Sequence, residues 1–154
     1  MTTSVTARAA VGELRRQGRT LAVAESLTGG LLAASIVAVP GASAVFRGGA
    51  VAYATDAKAA VLGVEEAWLA ARGPVDPRVA TMMADGARKL FGADLALATT
   101  GVAGPGPADG HAAGTAYLAC TGAGPTRVRA VQLSGGRGAV RTAVAELALA
   151  LLLP

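Results

Sequence analysis

At 154 residues, with 53% hydrophobic but only 3% aromatic side chains, the chain has the length of one ordinary domain whose core is built from small, closely packed residues. No apolar run reaches the about 18 residues that suggest a membrane span, and Cys120, the only cysteine, excludes an intrachain disulfide and any cysteine-cluster metal site. The net charge of +4 comes from scattered cations, 12 of 14 of them arginine, with few aromatic residues between them; this pattern favours solvated surface charge over direct nucleic-acid binding.

The first predicted element is a helix from Ser4 to Gln17, with Ala7, Val11 and Leu14 at helical spacing, Ser4 as cap and Gly18 as stop. A strand over Thr20 to Ala24 follows, then a helix opening near Thr28 and running to Val39 before Pro40-Gly41. Arg47 to Thr55 reads as a second strand and Asp56 to Leu62 as a short helix. Asp76-Pro77 is a helix start, with aspartate as N-cap and proline at the first helical position. Beyond it Val79, Met82, Met83, Gly86, Ala87, Leu90 and Phe91 form an apolar stripe, so the methionines are assigned to packing. Strands at Asp94 to Thr99, Gly114 to Thr121 and Arg127 to Leu133 precede a last helix from Arg137 to Leu152. Helices alternate with strands early and strands cluster late. The expected fold is a three-layer α/β/α sandwich with a mixed sheet, one domain over residues 1–154. The N-terminus lacks the pattern of a secretory signal, so a cytoplasmic location is expected.

The segment from Leu21 to Gly30, which includes Glu25-Ser26-Leu27-Thr28-Gly29-Gly30, places a serine and two glycines between an apolar strand and a helix. A helix N-terminus there offers unpaired N–H groups and the positive end of a dipole, which favour an oxyanion or a phosphate. The same residues also suit a plain turn with Ser26 or Thr28 as N-cap. Two further loops, Tyr53 to Lys58 and Thr99 to Pro107, meet this turn if their strands are parallel, because ligands in open α/β sheets collect beyond the strand C-terminal ends. The glycine spacing in Thr100-Gly101-Val102-Ala103-Gly104-Pro105-Gly106 matches neither a dinucleotide fingerprint nor a P-loop. Lys58 falls in the first turn of its helix, where the dipole disfavours a cation. To act as a base near neutrality its pKa must fall by about 3 units, which burial can supply and a solvent-facing position cannot. Tyr53 is placed either to reach a reacting group or simply to pack. His111, the only histidine, is the one residue that a Ser-His-Asp triad would have to use.

These stretches, together with Gly48 to Tyr53, Leu62-Gly63-Val64, Met83 to Ala87 and Gly114-Thr115, resemble in order the C-terminal domain of the competence/damage-inducible CinA proteins, whose stand-alone members are nicotinamide-nucleotide amidohydrolases. The resemblance implies hydrolysis of nicotinamide mononucleotide to nicotinic acid mononucleotide and ammonia in pyridine-nucleotide salvage, with no metal or cofactor. It implies Ser26 as nucleophile, Lys58 as its base and Tyr53 as a helper. Thr28, Gly29, Gly30, Thr100, Gly101 and Gly104 are the expected substrate contacts, with backbone groups near Gly29-Gly30 or Thr100-Gly101 open to hold either the oxyanion or the phosphate; Arg137 and Arg141 are phosphate candidates or else surface residues of the final helix. The chain departs from the family where His111-Ala112-Ala113 replaces a usual Lys-Pro-Val, and where Gly135-Gly136-Arg137 replaces a usual Gly-Asp-Arg. The resemblance further implies a homodimer, and it implies no activity of the larger N-terminal domain of full-length members. The alternative function is a nucleotide- or partner-binding module tied to competence or DNA damage, without significant catalysis.

Overall fold

The computed structural model describes residues 3–122 and 124–154; the first two positions of the expected domain, and one in the link between Cys120 and Arg127, lie outside the described residues. Ser4 accepts a hydrogen bond from the Ala7 N–H and opens α1 (Val5–Gln17), which Gly18 closes in the left-handed conformation. The chain continues through β1 (Leu21–Glu25), α2 (Leu31–Val37), a 3-10 turn (Ala42–Ala44), β2 (Phe46–Val51), α3 (Thr55–Leu62), α4 (Glu66–Arg72), α5 (Pro77–Phe91), β3 (Leu95–Gly101), β4 (Thr115–Thr121), β5 (Arg127–Gln132) and α6 (Arg137–Ala150). The sheet runs in the order β2-β1-β3-β4-β5. Its first three strands are parallel, while β4 and β5 are antiparallel to their neighbours. This is the mixed three-layer sandwich expected from the order of elements. No described helix is long and apolar enough to cross a membrane.

Strand periodicity divides the core by size. On one face Leu21, Val23, Leu95 and Leu97 pack against residues of α1, α2 and α6, including Leu14, Ile36 and Leu149. On the other, Ala22, Ala24, Ala96 and Ala98 meet Val79, Met83 and Ala87 of α5 and Leu62 of α3. Alanine on the sheet and alanine on the helix bring α5 close. The approach continues to α3, since a Cβ on Gly86 would run into the Leu62 carbonyl.

Away from the Ser26 turn, the structure departs from expectation at α4, α5 and β2. α4 has no sign in the sequence, because its seven residues bury only Leu69 fully and lack a side-chain cap, so neither periodicity nor capping marks it. The buried face of α5 is Val79, Ala80, Met83, Ala84 and Ala87, with Leu90 54% exposed; small alanines replace the larger side chains that the apolar stripe selects. β2 ends at Val51 rather than Thr55, because the carbonyls of Ala52 and Tyr53 turn to accept from Lys58. Asp76 does cap α5, accepting from the N–H groups of Arg78 and Val79. Gly86→Ala is expected to lower the unfolding free energy by about 1–3 kcal/mol, and Leu90→Ala by less than about 0.5 kcal/mol; chemical denaturation measures both.

Candidate active site

Because β1, β2 and β3 are parallel, their C-terminal ends lie on one edge of the sheet, and the three loops singled out in the sequence meet there. They enclose a cleft of about 390 Å³ whose lining includes Ser26, Tyr53, Lys58, Thr100, Asp109 and Arg137. That volume suits a small-molecule ligand.

The period of two along β1 places Glu25 on the same face as Leu21 and Val23, beneath α2. Its fully buried carboxylate accepts from the N–H groups of Gly30, Leu32 and Ala33 at 3.0, 3.1 and 2.9 Å. The helix N-terminus expected to receive an oxyanion or phosphate is therefore filled by the protein's own carboxylate. Neither Ser26 nor Thr28 caps α2, which starts at Leu31 and not near Thr28 because Gly29 and Gly30 adopt left-handed φ of 55° and 99°. Instead the Thr28 hydroxyl pairs with that of Thr99 at 2.8 Å. Arg141 donates to the carbonyls of Leu27 and Thr28 at 2.8 and 3.0 Å, gripping the turn from behind. Thr28, Gly29, Gly30 and Arg141 thus surround the turn but are not among the residues lining the cleft. The role of Glu25 was missed by sequence reasoning, although strand alternation was the signal for it.

Ser26 comes next in the chain. Its N–H donates to the Thr99 carbonyl at 3.0 Å, and its side chain lines the cleft beside Lys58. Lys58 is 1% exposed. Its Nζ donates to Ser26 Oγ at 3.0 Å, to the Ala52 carbonyl at 2.9 Å and to the Tyr53 carbonyl at 3.2 Å. Burial lowers its pKa from 10.5 to about 8, against an opposing pull from the Asp109 carboxylate. The ammonium form uses all three donors. In the amine form two N–H groups stay on the carbonyls, and the lone pair falls toward Ser26 Oγ, ready to receive its proton.

Tyr53 is 60% exposed, and its hydroxyl accepts from Arg137 at 2.9 Å rather than touching Ser26. Arg137 also donates to the Gly104 carbonyl at 2.6 Å, joining two walls of the cleft. Thr100 and Gly101 lie in the lining, with the Thr100 hydroxyl donating to the Pro74 carbonyl at 2.7 Å. His111 lies apart from Ser26: its ring meets Tyr117 edge-on at 6.3 Å and borders a separate hollow beside Arg72 and Asp76. Asp109 in the cleft went unassigned in the sequence, although Asp-Gly is a known turn signal. Cys120 is buried, which pushes its thiol pKa up, as suits a packing residue.

The CinA C-terminal domain model matches residues 3–154. The chain belongs to the CinA C-terminal domain family. It is 52% identical over 132 residues to a CinA-like protein of Frankia casuarinae, covering 86% of this chain and 30% of that protein. A CinA-like protein of Geobacter sulfurreducens is 49% identical over 136 residues, 88% of this chain and 33% of its own length. The chain thus spans about a third of the length of these curated relatives. Among solved structures, the competence/damage inducible protein CihA of Agrobacterium tumefaciens superposes with a TM-score of 0.91 at 34% identity, over 96% of this chain and 92% of that one. A CinA superfamily protein of Escherichia coli gives a TM-score of 0.94 at 32% identity, over 99% and 89%.

In this CinA domain the depressed Lys58 pKa links to stability. The unfolded lysine, with the ordinary value of 10.5, holds a proton that the folded one releases near pH 8. Folding is therefore disfavoured by this group at low pH and relieved as pH rises between the two values. The unfolding free energy of the wild type relative to Lys58→Met is expected to rise by roughly 3 kcal/mol over that interval, as measured by denaturant titrations at each pH.

Proposed function

We propose that this cleft hydrolyses the carboxamide of nicotinamide mononucleotide by a serine–lysine mechanism, giving nicotinic acid mononucleotide and ammonia. The observation that carries the reading is Lys58 Nζ at 3.0 Å from Ser26 Oγ, with its other two hydrogen bonds on carbonyls. Membership of the CinA C-terminal domain family, whose stand-alone members are nicotinamide-nucleotide amidohydrolases by the resemblance drawn from the sequence, supplies the substrate.

Neutral Lys58 takes the Ser26 proton as Oγ bonds to the carboxamide carbon. The ammonium so formed returns that proton to nitrogen as the C–N bond breaks and ammonia leaves. Water then attacks the acyl ester, with Lys58 again taking a proton, and Ser26 recovers its hydrogen as the C–Oγ bond breaks. The oxyanion falls to the backbone N–H groups of Ala103 and Gly104 in the Gly-Pro loop, since those of Gly29, Gly30 and Val102 already serve Ser26, Glu25 and Thr115. Arg137, with further guanidinium donors beyond the two in use, takes the phosphate. Tyr53 orients Arg137, and Thr28, Gly29, Gly30 and Arg141 hold the nucleophile's turn.

Ammonia release from nicotinamide mononucleotide tests the reading. Ser26→Ala is expected to reduce kcat/KM by about a thousandfold or more, and Lys58→Met by at least about a hundredfold. In the wild type the rate should climb with pH and level off above about 8, where Lys58 becomes neutral. Arg137→Ala is expected to raise KM for the nucleotide roughly tenfold while leaving the phosphate-free riboside unaffected. A folded wild type that binds the nucleotide but releases no ammonia would favour the binding-module reading instead.

A further inference from the structure

Asp109 is the one carboxylate among the described residues lining the cleft, and the serine–lysine chemistry makes no use of it. Its place is set by a tight hairpin: Ala108 and His111 exchange N–H···O bonds of 3.0 and 2.9 Å. Between them Asp109 and Gly110 take φ of 51° and 79°, the consecutive left-handed residues that a two-residue hairpin loop requires. The hairpin projects from the Gly-Pro loop and brings its acidic residue to the cleft, where the carboxylate acts electrostatically on Lys58.

The cleft is consequently bipolar. Lys58 lies on its floor, Arg137 bridges Tyr53 and Gly104, and Asp109 supplies negative charge on the hairpin. A ligand that is only anionic gains from Arg137 and is repelled by Asp109. A ligand with an anionic group at one end and a positive ring at the other is matched at both.

We propose that Asp109 is a specificity-determining residue whose carboxylate selects N-substituted pyridinium carboxamides, with their fixed positive ring charge, over neutral rings of the same shape. The carboxamide part rests on the amidohydrolase reading, whereas the charge preference is a property of binding and is measured without turnover. Asp109→Asn removes the charge and retains a residue type suited to a left-handed turn.

The experiment is calorimetric titration at pH 7 of Ser26→Ala protein, with and without Asp109→Asn, using nicotinamide mononucleotide and its neutral dihydro form. With Asp109 present the cationic ring is expected to bind about fivefold more tightly, the upper range for a solvent-accessible charge pair; the double variant should show a ratio near one. Equal weakening of both ligands, a ratio unchanged by the substitution, or no binding of either ligand would overturn the proposal. If Asp109 acted only through Lys58, the substitution would lower the pH midpoint of turnover and leave the binding ratio intact, which also overturns it. Absence of serine-dependent ammonia release alongside an Asp109-dependent ratio would overturn the amidohydrolase reading alone.

Discussion

The Glu25 carboxylate on the N-terminus of α2 is the interaction from which the rest of the site follows. Three backbone donors that would otherwise be orphaned in the interior converge on one side chain. The negative group also meets the positive end of the helix dipole. Because Glu25 is the last residue of β1, this contact joins sheet to helix immediately beside Ser26. Arg141 holds the carbonyls of Leu27 and Thr28, and the Thr28–Thr99 hydroxyl pair ties the turn to β3. The nucleophile candidate therefore stands on a turn restrained from three directions.

Lys58 presents the opposite balance. A cation in the first turn of α3, almost fully buried, is disfavoured by desolvation and by the helix dipole. Its three acceptors are neutral oxygens, so they satisfy its hydrogen bonds without supplying a counter-charge. A partnering carboxylate in contact would have stabilised the ammonium and removed its value as a base. Asp109, on the hairpin, compensates only part of the effect of burial. The absence of a close counter-ion among the described residues lowers the stability of the folded state below pH 8 and favours the neutral amine as pH rises through that value.

The order of elements and the mixed sheet were legible because long stripes, caps such as Ser4 and Asp76, and the late clustering of strands are local signals. Ser26, Lys58 and Tyr53 were brought to one edge by a property the sequence made plain, alternation of strands and helices, together with the family resemblance. What stayed hidden depended on direction and distance. The side chain of Glu25 competes with ligands for α2, but its orientation comes from strand parity combined with the placement of a helix. Leu90 outranks Ala80 and Ala84 in hydrophobicity, yet α5 turns its small residues inward because the sheet face beneath it is alanine. α4, with a single fully buried residue, is held by its neighbours rather than by its own pattern.

The glycine at position 86 has a reach beyond its own helix. It lets the backbone of α5 touch the final residue of α3, and Lys58 lies one turn back along that same short helix. This close packing of α5 against α3 seats the helix that brings a buried amine to the cleft. A hydrogen atom in place of a methyl group lets the backbones of α5 and α3 meet, on the same helix that carries the lysine to the cleft.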